Sequence, residues 1–353
     1  MSETAPIRLR AAVAVPLRED LCRLIEQLEP RVRLERDHAL TPPMRGPADW
    51  SGDPAFHRTA AQQRAYERML DGAEALFGIP DVDPSALART VAANPHLRWV
   101  MTTAAGGGAQ VKAAGLDDAA LGRIVFSTSA GVHGGPLAEF AVFGVLAGAK
   151  DLPRLRVDQD AALWPERWEM RQLDEMTVLV VGLGGIGSAC ARRFHALGAT
   201  VWGTTRSGAT VEGVDRLVPL DRLREAAAEV DAVVVTLPGT DQTHHLIDAA
   251  VFGALRPGAI VVNVGRGIVI DEGALRNALD DGIVAFAALD VFETEPLPVD
   301  SPLWAHPRVL VSPHTAALSS REEERIARRF AADATRVIDG EAPLAVVDTV
   351  EFF

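Results

Sequence analysis

The sequence predicts an α/β chain of two parallel-sheet domains, and three observations carry that expectation. The chain has 353 residues, about twice a common domain size. Short, nearly continuous apolar runs alternate with stretches of helical periodicity, as strands covered on both faces by helices require. A glycine cluster, Ala130-Gly131-Val132-His133-Gly134-Gly135, separates an earlier α/β unit from a later one and suits a hinge.

The elements follow in order. Alternating Ile7, Leu9, Ala11, Val13 and Val15 predict a strand, Leu17, Leu21, Leu24 and Leu28 a helix, and Val32 and Leu34 a second strand. The stretch Thr41–Pro54 is rich in Pro, Gly and Asp without periodicity, which predicts a surface loop or insertion. Strands are predicted at Leu97–Thr103 and Arg123–Thr128, and a long apolar helix from Pro136 to about Lys150. A second series of strands is expected at Thr177–Val181, Thr200–Gly203, Ala232–Leu237, Ile260–Val264, Val284–Leu289 and Val309–Val311, with a helix at Glu272–Leu279 among them.

Composition narrows the function. Hydrophobic residues at 48% and charged residues at 24% support a buried core and exclude a disordered or collagenous chain. A net charge of -13 opposes broad contact with nucleic acid or an anionic membrane, so an anionic ligand must be held by local Arg or helix-end sites. Cys22 and Cys190 stand in no metal-binding or disulfide pattern, and no metal is expected. No apolar run approaches the roughly 20 residues of a membrane span and Met1–Pro16 lacks a signal peptide's apolar block, so a cytoplasmic protein is expected.

Val180-Val181-Gly182-Leu183-Gly184-Gly185-Ile186-Gly187 follows a predicted strand and opens a predicted helix. In that setting Gly182 permits the turn, Gly184 lets backbone approach a pyrophosphate and Gly187 allows helix to pack on strand, while the helix N-terminus presents free N–H groups. The other reading is a tight turn with no ligand. The next strand ends at Thr204-Thr205-Arg206-Ser207, where a site for NAD usually carries an acid that reads the ribose. Small hydroxyls and Arg206 suit a 2′-phosphate instead, so NADP(H) is expected, with NAD(H) left possible if Arg206 is a solvated loop residue.

Three further segments each place functional side chains after a predicted strand: Asn263-Val264-Gly265-Arg266-Gly267, Leu289-Asp290-Val291-Phe292-Glu293-Thr294-Glu295-Pro296 and Ser312-Pro313-His314-Thr315-Ala316. An Arg fork that grips a carboxylate and a His that donates a proton to a neighbouring carbonyl suit reduction of a 2-oxo acid beside a nicotinamide. His133, His244 and His245 have no such frame and read as hinge or loop residues.

With these motifs the chain resembles the D-isomer-specific 2-hydroxyacid dehydrogenases, a family that includes phosphoglycerate dehydrogenase and the glyoxylate/hydroxypyruvate reductases. Ala105-Gly106-Gly107 after a strand, Ala138-Glu139 on the long helix, the glycine loop, Thr236-Leu237-Pro238-Gly239-Thr240 with Thr243, and the Arg, Glu and His segments match in order over most of the chain. The resemblance implies two Rossmann-like or flavodoxin-like parallel-sheet domains with an active-site cleft between them. The substrate domain would comprise residues 1–133 and 316–353, and the NAD(P)-binding domain residues 134–315. It implies Arg266 as the substrate-orienting arginine, His314 as acid/base and Glu295 as its partner, with Glu293 the nearest rival. Cofactor contacts would come from Gly182, Gly184, Gly185, Ile186, Gly187, Thr205, Arg206, Ser207, Leu237, Pro238, Thr243, Val264 and Asp290, the last holding the nicotinamide carboxamide. Ala105, Gly106 and Gly107 would hold the substrate with Arg266 and His314.

The resulting expectation is a homodimeric reductase interconverting small 2-oxo acids, of glyoxylate or hydroxypyruvate type, and D-2-hydroxy acids. Its dimer surface would lie on the Pro136–Lys150 helix and the Leu152–Trp168 segment. Thr41–Pro54 and Gly108 depart from the family pattern at the rim of the substrate pocket. A phosphite-type dehydrogenase, and a dinucleotide-sensing protein that controls assembly with partners, are the alternatives. A formate dehydrogenase is disfavoured, because Glu295 stands where those enzymes carry an amide.

Overall fold

A computed structural model describes residues 8–206, 208–350 and 352. The chain divides into two compact units, Met1–His133 with Leu318–Phe353, and Gly134–Ala317.

The first unit holds β1 (Leu9–Val13), β2 (Val32–Glu35), β3 (Ala75–Phe77), β4 (Trp99–Met101) and β5 (Val125–Ser127) in the order β2-β1-β3-β4-β5, all parallel. This is the flavodoxin-like order. The Leu periodicity produces the helix Glu19–Leu28, which buries Leu21, Cys22 and Ile25. Strand β3 was not foreseen in the sequence. Its three residues are too few to show a period, and both of its neighbours bury it completely. The helix Glu322–Ile338 comes back to this unit from the far end of the chain. Its Phe330 ring stacks on Trp99 at 4.6 Å and meets Phe77 edge-on at 5.3 Å.

The 41–54 stretch is irregular, as expected, but compact. Asp53 N–H donates to the Pro43 carbonyl at 2.9 Å, Arg45 grips Asp49 with two nitrogens, and the Trp50 ring packs edge-on against Phe77 at 6.0 Å.

The second unit contains β6 (Thr177–Val181), β7 (Thr200–Thr204), β8 (Arg216–Val218), β9 (Ala232–Val235), β10 (Ala259–Asn263), β11 (Val284–Leu289) and β12 (Val309–Val311). The order is β12-β11-β10-β9-β6-β7-β8, again all parallel. From β6 the chain winds outward first through β7 and β8, then in the other direction from β9 to β12. The strand order therefore reverses between β6 and β9, the point where open α/β sheets bind ligands at the carboxyl ends of their strands. Strand β8 also escaped the sequence reading, for the same reason of length. No helix among the described residues is long and apolar enough to cross a membrane.

Candidate active site

At the end of β6 the chain turns through Gly182, whose φ of +106° favours glycine. Two threonines, Thr204 and Thr236, pin this turn. Gly182 N–H donates to the Thr204 hydroxyl at 2.9 Å, Leu183 N–H to the Thr204 carbonyl at 2.8 Å, and the Thr236 hydroxyl to the Gly182 carbonyl at 2.6 Å. Gly185 and Ile186 begin the helix Gly185–Ala196, with Gly184 as its cap. A Cβ on Gly187 would lie 2.0 Å from the Gly182 carbonyl oxygen, so only glycine lets the helix sit this close to the strand end. A Cβ on Gly184 would meet nothing within 4 Å.

At the end of β7, Thr204 is buried in the loop contacts just described, and beyond it Thr205 is half-buried and Arg206 exposed. Ser207 lies outside the described residues. The loop after β9 carries Leu237, whose side chain closes against Gly182, and Pro238, whose carbonyl accepts from the Thr243 hydroxyl at 2.7 Å. Thr243 thus shapes its own loop. Val264 is buried, with its N–H on the Val235 carbonyl at 3.0 Å.

Arg266 follows β10. The side chain of Asn263 bridges this turn: its amide donates to the Arg266 carbonyl at 3.0 Å and its oxygen accepts from Gly265 N–H at 3.0 Å. Arg266 is half-buried, with Nη1 donating to the Gly265 carbonyl at 2.7 Å. Next to it, a Cβ on Gly267 would fall 1.8 Å from the Phe292 carbonyl carbon, so this loop lies hard against the one after β11.

That second loop presents Glu295, and the structure separates it from its rival. Glu295 Oε2 lies 2.7 Å from His314 Nδ1, while its Oε1 accepts from Phe292 N–H at 3.0 Å. Glu293 instead pairs with His245 at 3.1 Å. His314 takes φ +53°, with its N–H on the Asp290 and Ser312 carbonyls at 2.9 and 3.0 Å. Asp290 is 1% exposed. Its Oδ1 accepts from the Ser312 hydroxyl at 2.6 Å and from Thr315 and Ala316 N–H at 2.9 and 3.0 Å, whereas its buried Oδ2 has no partner among the described residues.

Ala105, Gly106 and Gly107 follow β4 in the first unit. A turn shapes this segment: Gly107 N–H donates to the Ala104 carbonyl at 3.2 Å, and a Cβ on Gly107 would collide with the Thr102 side chain. His133, read as a hinge residue, is 9% exposed and pairs with Glu322 at 3.0 Å. Glu19, Cys22 and His38 bring potential metal ligands within 4.8 Å of one another. Their chemistry is that of an ion-pair cluster. Arg36, His38 and Arg23 hold the Glu19 carboxyl well below its ordinary range, and burial pushes the Cys22 thiol up to about 12.

Residues 142–316 match the family model described as D-isomer specific 2-hydroxyacid dehydrogenase, NAD binding domain. Over 98% of its length the chain aligns with 99% of a D-isomer specific 2-hydroxyacid dehydrogenase from Xanthobacter autotrophicus Py2, solved in complex with NADPH and MES, at 30% identity and a TM-score of 0.75. The chain belongs to the D-isomer specific 2-hydroxyacid dehydrogenases. A dehydrogenase of the same family from Aeromonas salmonicida subsp. salmonicida A449 is 28% identical, with a TM-score of 0.74 over 97% of this chain and 99% of that one. Glyoxylate/hydroxypyruvate reductase A of Salmonella choleraesuis is 35% identical over 187 residues, which are 53% of this chain and 60% of that reductase.

The residues of this dehydrogenase fit the dinucleotide that its NAD-binding domain takes. Open space at Gly184, beside a helix N-terminus, matches a pyrophosphate, and the partnerless Asp290 Oδ2 matches an amide donor.

Proposed function

We propose that this chain reduces small 2-oxo acids of the glyoxylate or hydroxypyruvate type to D-2-hydroxy acids, with NADPH preferred over NADH. The observation that carries the reading is the His314–Glu295 hydrogen bond of 2.7 Å at the carboxyl edge of the sheet, beside the Arg266 loop. The bound reduced dinucleotide supplies a hydride. Arg266 grips the substrate carboxylate as a planar fork and orients the adjacent carbonyl. His314 Nε2, the ring nitrogen that does not face Glu295, gives its proton to the carbonyl oxygen as the carbon is reduced, and Glu295 stabilises the charged imidazole that donates it. Asp290 takes the His314 N–H on its backbone carbonyl and the Thr315 and Ala316 N–H groups on one carboxylate oxygen, and would offer the other oxygen to the nicotinamide amide. Arg206, after β7, is the cation for a 2′-phosphate. The NADPH bound to the Xanthobacter relative and the reductase name of the Salmonella one support this choice.

The test is steady-state turnover across a panel of 2-oxo acids, with phosphite included in the oxidative direction. Glyoxylate or hydroxypyruvate with NADPH is expected to lead, and Arg206→Ala to erase the cofactor preference by weakening NADPH far more than NADH. His314→Ala is expected to lower turnover by roughly 10² to 10⁴ with NADPH affinity nearly unchanged. Activity on phosphite alone, or undiminished turnover in His314→Ala, would sink the reading.

The same proposal includes a homodimer formed through residues 152–168. In this segment Trp164 is 96% exposed, and Leu155, Leu163 and Trp168 line with it a groove of ≈ 910 Å³, an apolar surface of the kind that marks an interface. Light scattering is expected to give twice the mass of the chain, and Trp164→Asp to shift it toward the monomer. A monomeric wild type contradicts this part of the proposal.

A further inference from the structure

His245 has no role in the chemistry above, yet it is tied to both loops that carry that chemistry. Its backbone N–H donates to the Ile268 carbonyl at 2.8 Å, and Ile247 N–H donates to Val269 at 3.0 Å, so this stretch runs alongside the segment that follows Arg266. Its Nε2 lies 3.1 Å from Glu293 Oε1, on the loop that ends in Glu295. The residue takes φ +49°, an uncommon conformation for a residue with a Cβ. Because Gly267 is in backbone contact with Phe292 and Glu293, a displacement of either loop is passed to the other.

Glu293 is fixed from a second side as well. Glu272 N–H donates to Glu293 Oε1 at 2.9 Å and Glu293 N–H donates to Glu272 Oε1 at 2.7 Å, a reciprocal pair in the first turn of the helix Glu272–Asp280. Burial, with the Glu293 charge adding to it, pushes the Glu272 carboxyl above its ordinary value. His245 Nε2 meets Glu293, which Glu272 adjoins in turn, and the exposed His244 ring stacks over the His245 ring at 4.0 Å.

We propose that His245 is a positioning residue, a clasp that holds the Arg266 loop and the Glu295 loop at one separation and so keeps Glu295 within hydrogen-bond reach of His314. This rests on the reading of Glu295 and His314 as the proton-transfer pair. With the clasp removed, Glu295 draws back and the protonated imidazole of His314 loses support. The groups facing His245 are Glu293, Glu272 behind it and His244 above. Among the described residues Glu295 meets the His314 ring, while the Asp290 and Ser312 carbonyls accept its backbone N–H. Removing His245 leaves all of them in the chain, and a Glu293 carboxylate left without its donor would favour a charged imidazole on His314, so a shift of the limb to lower pH reports lost geometry rather than lost charge.

The experiment compares His245→Ala, His245→Gln, Glu293→Ala and Glu295→Gln in glyoxylate reduction by NADPH, with hydride transfer shown to be rate-limiting by a deuteride isotope effect. His245→Ala and Glu293→Ala are expected to lower kcat about tenfold or more, with KM for NADPH and Tm near wild-type values. The falling limb of the kcat–pH profile should move to lower pH. His245→Gln, which keeps a donor, should recover most of both, and His245→Ala should add no further shift in a Glu295→Gln background. A lower kcat with an unmoved pH limb, or a shift that persists in the Glu295→Gln background, overturns the clasp. Glu295→Gln is the control on the underlying reading. If it shifts the limb while His245→Ala does not, the clasp alone is wrong. If neither shifts it, the Glu295–His314 pairing is wrong and the clasp falls with it.

Discussion

His314 shows how a functional side chain is aimed by a backbone that few residues adopt. Its φ of +53° is uncommon for a residue with a Cβ, although His tolerates it better than most. Asp290 stabilises the conformation by accepting the next two N–H groups on one carboxylate oxygen. The ring then meets Glu295 at 2.7 Å, and the sign of the resulting pH dependence follows. A carboxylate favours the charged imidazole, reduction needs the charged imidazole, and removing the charge means that this form is lost earlier as pH rises. In Glu295→Gln the falling limb of the reduction rate is expected to move to lower pH. A profile that coincides with wild type would return the pairing to Glu293. Both acids were legible as candidates in Glu293-Thr294-Glu295-Pro296. Distances alone sent one to His314 and the other to His245.

Among the elements, the strand-turn-helix at β6 was the most legible, because its glycines answer separate demands that the structure now distinguishes. Gly187 is required by the fold, since a Cβ there would strike the Gly182 carbonyl. Gly187→Ala is expected to cost about 1 to 3 kcal/mol of stability, measured by thermal or denaturant unfolding, and to impair dinucleotide binding as well. Gly184 is not required by the fold, because a Cβ there meets no protein atom. Gly184→Ala should leave stability near wild type and weaken NADPH in a fluorescence titration. Equal NADPH affinity in that variant would place the pyrophosphate elsewhere. The elements that went unread, Ala75–Phe77 and Arg216–Val218, are three residues long, and pairing with a neighbour made them strands where local pattern could not.

At the scale of the whole molecule, the first unit is assembled from two distant pieces of chain. Glu29, at the end of the helix Glu19–Leu28, accepts from Arg31 at 2.7 Å and from the Thr335 hydroxyl at 2.6 Å, and Arg31 reaches on to Asp339. Arg31 first and Thr335 next hold the Glu29 carboxyl at about 2, below its ordinary 4.5. A carboxyl lowered on folding adds stability that is fully present above about pH 4.5 and lost as pH falls toward 2. Glu29→Gln is therefore expected to destabilise by about 1.5 to 3 kcal/mol at neutral pH, the range for hydrogen bonds to a charged group. The difference from wild type, followed by urea unfolding, should shrink toward zero across that acidic window. A difference independent of pH would mean that the charge of Glu29 does not tie the two pieces together.

The sequence by itself determined the two parallel sheets, the glycine loop and the strand-end segments carrying Arg266, Glu295 and His314. Each of these is written locally: buried parallel strands demand apolar runs, a turn beside a helix N-terminus demands glycines, and ligand-binding residues follow strands. Only the tertiary structure decided which carboxylate meets which imidazole, that Thr204, Thr236 and Asn263 pin the loops, and that His245 bridges two of them. These contacts join segments from about 20 to more than 50 positions apart or depend on a turn's exact closure, and a side chain that serves a distant loop leaves no period, spacing or composition in its own neighbourhood.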